Sequence, residues 1–180
     1  MLIIDSHCHA GLNWFEPLET LQFQMDQNGV AGAVLIQHGG NYDNGYLMDE
    51  AAKQPDRFKV VVLVDPADPD PLGSLEGLAE RGIAGLRLSF PHNYQHTDIV
   101  SLCRKAGELG LVVSWMGTAD DFAGDAFQRI VDPCTDTSIV IEHLAGLGVV
   151  EAAHDDFKAA LRSADRPNTF IKVPGLGEIC

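Results

Sequence analysis

Short β-branched runs alternate with amphipathic segments along the chain, and this alternation constrains the fold more than any other feature of the sequence. Seven runs predict strands, at residues 2–5, 33–37, 59–64, 83–89, 111–115, 138–142 and 169–173. The segments between them carry apolar residues every three to four positions, which predicts helices at 18–28, 45–54, 72–81, 98–109, 121–131 and 150–163. Strict alternation predicts an α/β fold with a parallel sheet, either a closed (β/α) barrel or an open doubly wound sheet.

The glycine pattern and the residues at the strand ends favour the barrel. A doubly wound nucleotide-binding sheet typically has a glycine-rich turn after an early strand, and Gly39-Gly40 matches neither GxGxxG nor a P-loop. Polar side chains instead follow the predicted strands at their C-terminal ends, where a barrel places its active site. These residues are His7, His9, Gln37, His38, Asp65, Arg87, Ser89 and His143.

The length of the chain limits how much of a barrel it can form. It has 180 residues, whereas a (β/α)₈ barrel typically takes about 250 and at least about 200. We therefore expect one domain over residues 1–180, a TIM-like barrel truncated after the seventh strand and lacking the eighth. The first and last strands would then have open edges, so we also expect a homo-oligomer.

Composition excludes several classes of partner. The chain has 12 Lys and Arg against 26 Asp and Glu, a formal charge of −14, which argues against nucleic acid and anionic membranes because both attract basic proteins. No apolar run is long enough to span a membrane and no signal peptide precedes the first strand, so we expect a cytoplasmic protein. The cysteines lack CxxC spacing, and we expect them to stay reduced and mostly buried; they are Cys8, Cys103, Cys134 and Cys180.

An alternating Asp5-x-His7-x-His9 pattern closes the first predicted strand. Because side chains alternate across a strand, these three residues share one face. Two imidazoles at this spacing can bind one divalent transition metal, most commonly zinc. Two partly exposed loop histidines are the alternative, and the position at a strand C-terminus favours the metal site.

This pattern and a series of later segments together resemble the amidohydrolase-related family of the amidohydrolase superfamily. The resemblance is nearest to the branch that contains sugar lactonases and pyrone-dicarboxylate lactonases. It spans nearly the whole chain. The later segments are Gln37 with residues 41–44, residues 57–58 and 64–66, and residues 82–88, 141–146 and 170–176.

The resemblance implies a barrel of the metal-dependent hydrolase type that hydrolyses cyclic esters or related bonds. In a neighbouring branch it implies decarboxylation of aromatic acids, and one divalent metal is common. His7 and His9 match the metal ligands of the first strand, and His143 matches the histidine that ends the sixth. Arg87 matches an arginine that would face a substrate carboxylate.

Two departures from the family pattern weaken the metal prediction. Metal-binding members usually place a histidine at the end of the fifth strand, where this chain has Ser114-Trp115-Met116. The family's aspartate on the eighth strand has no match in these residues. His7 and His9 alone supply two of the three protein ligands of a typical catalytic zinc site. We therefore expect zinc to bind weakly or not at all.

Further side chains are candidates for substrate contacts, each with a structural alternative. Trp115 can supply an aromatic wall or fill the core, and Lys172 can contact substrate inside the barrel or form an ion pair. Gln37 is another candidate for a substrate contact, and Asn44 can line the pocket or belong to an ordinary Asn-Gly turn. Arg87 can equally be a salt-bridge partner. His143 can be a packed histidine bonded to Glu142.

The leading hypothesis is a hydrolase that directs water onto a small carboxylated cyclic ester. His143 would be catalytic, His7 and His9 would hold any metal, and Arg87 would bind the substrate carboxylate. One alternative is a decarboxylase of the same superfamily. Another is a truncated barrel without catalytic activity.

Overall fold

The structure, a computed structural model, describes residues 1–90, 94–149 and 155–173. The start of the helix predicted at 150–163, the end of the motif at 170–176 and Cys180 lie outside these ranges. The strands are β1 (Ile4–Cys8), β2 (Gly32–Ile36), β3 (Phe58–Val62), β4 (Gly85–Ser89), β5 (Val112–Met116), β6 (Ile139–Ile141) and β7 (Thr169–Ile171). The helices are α1 (Leu18–Asn28), α2 (Gly45–Ala52), α3 (Pro71–Glu80), α4 (Ile99–Glu108), α5 (Ala119–Ala123), α6 (Asp125–Val131) and α7 (Asp155–Leu161).

All seven strands pair in parallel, in the order β1-β2-β3-β4-β5-β6-β7. A doubly wound sheet reverses its strand order at a switch point, whereas a barrel keeps the strands in chain order. The sheet also curls, because Lys172 Nζ after β7 lies 3.5 Å from His7 Nδ1 in β1. The predicted TIM-like fold is therefore confirmed as seven sequential parallel strands.

The core lies between the outer face of the sheet and the helices. Trp115 in β5 stacks on Phe90 and meets Phe127 of α6 edge-on, with both ring centroids 5.4 Å away. Alternation then turns Arg87 and Ser114 towards the barrel interior. The outward-facing core residues of β4, β5 and β6, each at most 1% exposed, are Leu86, Leu88, Val113, Trp115, Ile139 and Ile141.

Local chemistry explains where the helices begin and end. Asp70 caps α3 by accepting a hydrogen bond from the Gly73 amide at 3.1 Å, and Asp98 caps α4 through Ser101 at 2.8 Å. The helix predicted at 121–131 is two helices, because the backbone at Gly124 is extended (φ −76°, ψ 154°) and interrupts the helical hydrogen bonds.

The structure also bears on the predictions for the cysteines and for membrane-spanning helices. Cys8, Cys103 and Cys134 are free thiols and are buried, as predicted. Within the described ranges, no helix combines the length and the apolar character that crossing a membrane requires. The homo-oligomer stays a prediction.

Gly85 allows β4 to approach β5, and we expect Gly85→Ala to lower the free energy of unfolding by about 2–3 kcal/mol. An added Cβ would lie 2.5 Å from the Val112 carbonyl oxygen and 3.2 Å from Val61 Cγ2. The strand cannot move away without breaking its pairing with Val112. Urea denaturation of both proteins measures the difference.

The matched control is Gly77→Ala on the exposed side of α3, where an added Cβ meets nothing within 4 Å. That change should raise the free energy of unfolding by about 0.5–1 kcal/mol, because alanine loses less backbone freedom in a helix. Equal effects of the two substitutions would contradict the steric argument.

Candidate active site

A cluster of polar side chains fills the barrel interior at the C-terminal ends of the strands. Its centre is Glu142, the first residue after β6, which is 0% exposed. Arg87 Nη2 donates a hydrogen bond of 2.7 Å to Glu142 Oε2, and Arg87 Nε lies 3.2 Å from both carboxylate oxygens. Ser114 Oγ donates to Oε1 at 2.6 Å. The cluster is thus organised around a buried, bidentate ion pair.

The charge on Glu142 is maintained by its partners. Burial alone would raise the pKa of this carboxyl group, but the hydrogen bonds and positive charge of Arg87, with the Ser114 hydroxyl, hold the pKa below its ordinary value. Arg87 is 5% exposed, and its Nη1 donates to the Gln37 carbonyl oxygen at 2.9 Å. The guanidinium that we expected to bind a substrate carboxylate is therefore occupied by Glu142. Arg87 is thus a salt-bridge partner, which was the structural alternative for this residue.

His7 and His9 lie beside this ion pair, with their Nε2 atoms 3.2 Å apart. His9 Nδ1 lies 2.7 Å from the Ile36 carbonyl oxygen. Burial lowers the pKa of His7 to about 3 and lowers the pKa of His9 below its usual range. Both rings are therefore neutral at pH 7, which is the form in which imidazole can ligate a metal.

Lys172 follows β7 and is half-buried inside the curl of the sheet. Its Nζ donates to Ser114 Oγ at 3.1 Å and lies 3.5 Å from His7 Nδ1. In the described part of the chain its ammonium forms no ion pair with a carboxylate. Burial lowers the pKa of Lys172, and Glu142 opposes that effect. The interior position predicted from strand alternation is the one observed.

His143 reaches the same cluster through an unusual backbone turn. Three non-glycine residues have left-handed φ values, His143 (53°), Leu144 (50°) and Ala145 (57°), and Gly146 follows at 73°. Each non-glycine residue in this conformation costs about 1–2 kcal/mol, and such strain is typical of functional sites. The turn brings the ring centroid of His143 to 4.6 Å from that of His7. The imidazole is a quarter exposed.

Three groups of the cluster lie close enough together to be considered as metal ligands. Ligand atoms of His7, Glu142 and His143 fall within 4.8 Å of one another. However, Glu142 already accepts hydrogen bonds from Arg87 and Ser114 on both oxygens, which engages the lone pairs of a carboxylate. The His7 nitrogen on the Glu142 side is Nδ1, and it lies 3.5 Å from the Lys172 ammonium. As arranged, these donors do not fit a divalent cation.

Trp115 does not line the mouth, and the structure corrects the expectation of an aromatic wall there. The side chain is 0% exposed and packs against Phe127 of α6. The neighbouring Ser114 takes the inward position of β5, so alternation turns the indole towards the helices.

Gln37 and Asn44 hold the loop between β2 and α2. The Gln37 side chain donates to the Asp43 carbonyl oxygen at 2.8 Å. Asn44 donates to the Leu63 carbonyl oxygen at 2.8 Å and accepts from the Leu63 amide at 3.1 Å. Both side chains are buried. Their hydrogen bonds are those of a loop support.

Sequence reasoning missed two features of the site. One is Glu142, which the two-residue period of β6 places on the inward face with Val140. The other is an aromatic shelf formed by Trp14, Phe15 and His38. Phe15 stacks on His9 with centroids 4.6 Å apart, and Trp14 is 73% exposed with its ring 5.2 Å from that of His38. Two consecutive aromatic residues shortly after the HxH motif were the available signal.

Comparison with known families and structures places this geometry in context. The family model described as amidohydrolase matches residues 4–179. No curated protein sequence matches the chain significantly. Several solved structures share the fold.

One similar structure is an Acinetobacter baumannii protein named as a probable 2-pyrone-4,6-dicarboxylic acid hydrolase, with citric acid bound. It has 19% identity and a TM-score of 0.77 over 99% of this chain and 72% of its own. A Pseudomonas putida protein with the same provisional name has 23% identity and a TM-score of 0.80 over 99% and 70%. A Burkholderia multivorans amidohydrolase with bound zinc has 21% identity and a TM-score of 0.75 over 99% and 72%. At these identities the likeness establishes the fold.

Proposed function

Since the chain belongs to the amidohydrolase family, we propose that its site hydrolyses a small carboxylated cyclic ester. In this reaction a water oxygen bonds to the lactone carbonyl carbon, the ring carbon–oxygen bond breaks, and the ring oxygen leaves with a proton. The product is an open-chain hydroxy acid or its keto form.

The observation that carries this proposal is the environment of Lys172, whose ammonium forms no ion pair with a carboxylate of the described residues. The charge of Arg87 is balanced by Glu142, and His7 is neutral at pH 7 because burial lowers its pKa to about 3. The half-buried Lys172 ammonium contacts a hydroxyl and an imidazole instead of an anion. A buried cation is stable only when an anion or strong acceptors compensate it. A carboxylate on the substrate would supply that anion.

The printed names of the similar structures agree with this substrate class. Two are named for a pyrone dicarboxylate, which is a carboxylated cyclic ester, and the crystals of one of them contain citric acid. The aromatic shelf adds an apolar surface next to His9 on which a flat ring can stack. Both points favour a planar, carboxylated ring as substrate.

His143 is the proposed catalytic base of this chain. Its side chain is a quarter exposed, so water can reach it, and its Nε2 lies 3.8 Å from Glu142 Oε2. Glu142 would stabilise the imidazolium that forms when His143 takes a proton from the attacking water. The same imidazolium would then return the proton to the departing ring oxygen. Arg87 would keep Glu142 in place.

The test is a hydrolysis assay on six-membered lactones with and without ring carboxylates. We expect turnover of the carboxylated compounds, and a fall in kcat of at least about a hundredfold in His143→Asn. Lys172→Met should raise KM for the carboxylated lactones about tenfold, the effect of losing one charged hydrogen bond. The exposed His96 provides the control His96→Asn, which should match the unsubstituted protein.

Two results would contradict the proposal. Equal turnover of charged and uncharged lactones would remove the role of Lys172 in binding a carboxylate. Release of CO₂ from aromatic acids, without lactone opening, would support the decarboxylase alternative instead.

A further inference from the structure

The hydrogen bonds around His7 can run in only one direction. The Ile36 carbonyl oxygen is an acceptor, so His9 Nδ1, 2.7 Å away, must carry a proton. The Nε2 of the neutral His9 ring is then an acceptor. His7 Nε2, 3.2 Å from it, must be the donor, which leaves His7 Nδ1 to accept from the Lys172 ammonium at 3.5 Å. The two rings therefore hold opposite tautomers.

The position of the His7 proton matters because of what else this pair of rings can bind. Two imidazole nitrogens that each lie about 2.0–2.1 Å from one tetrahedral zinc are separated by roughly 3.3 Å. The observed separation of the two Nε2 atoms, 3.2 Å, suits either a shared metal or a hydrogen bond. A shared metal requires His7 to move its proton from Nε2 to Nδ1.

Lys172 opposes that change in two ways. An ammonium has three donors and no acceptor, so a protonated His7 Nδ1 would face it without a hydrogen bond. Its positive charge also repels a divalent ion at short range. Glu142 Oε1, 4.0 Å from His7 Nδ1, is the nearest acceptor that could orient an Nδ1–H group. A carboxylate in that position is the usual outer partner of a zinc-ligating histidine.

We propose that Lys172 is a positioning residue that holds His7 in the Nε2–H tautomer and thereby keeps zinc out of the His7–His9 pair. The chain thus carries a cation, the Lys172 ammonium, beside the two imidazoles that could share a metal. This inference concerns the occupancy of the site by zinc and stands independently of which ester is hydrolysed.

Zinc titration of the purified protein, by calorimetry and by competition with a chromogenic chelator, tests the proposal. We expect Lys172→Met to bind zinc at least about tenfold more tightly than the unsubstituted chain. Lys172→Arg keeps a cation and should retain the low affinity. Lys53→Met, at the exposed residue that follows α2, is the matched control and should change nothing.

The site of any gain in affinity is checked by adding His9→Ala to Lys172→Met, which should abolish it. A gain that survives His9→Ala would place the zinc on His7, Glu142 and His143 and would overturn the proposal. Unchanged affinity in Lys172→Met, or an equal gain in Lys53→Met, would also overturn it.

A measurement on the unsubstituted chain keeps the proposal testable if Lys172→Met does not fold. Long-range ¹H–¹⁵N correlation spectra distinguish the two tautomers of a neutral histidine. We expect His7 as Nε2–H and His9 as Nδ1–H. Finding His7 as Nδ1–H in the metal-free protein would refute the role of Lys172.

Discussion

Glu142→Ala should lower the free energy of unfolding by about 3–5 kcal/mol, because it leaves the Arg87 guanidinium buried without its carboxylate. Glu142 is 0% exposed and Arg87 5% exposed. In the intact protein Arg87 makes a 2.7 Å charged hydrogen bond to Glu142. Ser114 donates to the same carboxylate, and Lys172 donates to the Ser114 hydroxyl. Urea denaturation at pH 7 measures the loss.

A double replacement distinguishes the destabilisation caused by an unpaired buried charge from the net contribution of the ion pair to the free energy of unfolding. Arg87→Met with Glu142→Leu removes both charges and leaves apolar side chains of similar size. We expect it to regain most of the lost free energy, since a buried ion pair is worth little net of its desolvation. The surface pair of the exposed Lys53 and the partly exposed Glu50 supplies the control Glu50→Ala, which should change stability little. A similar effect of Glu142→Ala and Glu50→Ala would refute the argument.

The alternation of strands and helices predicts a parallel sheet, and the glycine pattern with the polar strand ends favours the sequential strand order of a barrel. The strand ends could not be placed to the residue. Apolar periodicity predicts the first strand at 2–5, whereas β1 is Ile4–Cys8. Apolar side chains mark the predicted segment, but pairing with β2 depends on backbone hydrogen bonds and continues through His7, with a register shift between Asp5 and Cys8. The ends of β1 therefore depend on its pairing with β2, and the apolar pattern of the first strand does not reveal them.

The polar site could be predicted in part for a related reason. Strand-end positions put His7, His9, Arg87 and His143 into one list, and strand alternation added Lys172 separately. The structure brings these side chains together around Glu142. The pairing between them depends on contacts between distant segments, because Glu142 lies 55 residues from Arg87. A sequence reader cannot tell which cation that carboxylate neutralises. The structure pairs Arg87 with Glu142, and among the described residues no carboxylate forms an ion pair with Lys172.

His143 shows a second limit on prediction. Strand parity alone would turn it outward with Ile139 and Ile141, yet its ring lies against His7 in the interior. The left-handed turn after β6 causes this difference. Only Gly146 in the turn is a residue that adopts such a conformation readily, so the local sequence carries little sign of it.

Acidification should destabilise the protein steeply between pH 6.5 and pH 3. Burial lowers the pKa of His7 from 6.5 to about 3 in the folded chain. Below pH 6.5 the unfolded chain therefore binds a proton that the folded chain does not bind. The free energy of unfolding falls by about 1.4 kcal/mol per pH unit for each such group. For His7 the loss reaches roughly 4–5 kcal/mol near pH 3.

Two other groups of the site act with the same sign. The pKa of His9 is lowered mainly by burial, so its contribution is also lost as the pH falls below the histidine range. The pKa of Glu142 is held below its ordinary value of 4.5 by Arg87, against the effect of burial. Its stabilising contribution is present above pH 4.5 and is lost as the pH falls through the folded-state pKa.

Urea denaturation at pH 8, 6.5, 5 and 4 gives the slope, and His7→Asn separates the contribution of this histidine. Asparagine does not titrate. The free energy of unfolding of the variant should therefore fall less steeply between pH 6.5 and 4, by about 1.4 kcal/mol per pH unit. His96→Asn, an exposed histidine outside the cluster, should keep the full slope. If His7→Asn and His96→Asn give the same pH dependence, His7 is not buried as a neutral ring. The tautomer argument, which requires a neutral His7 that accepts from Lys172, would then fail with it.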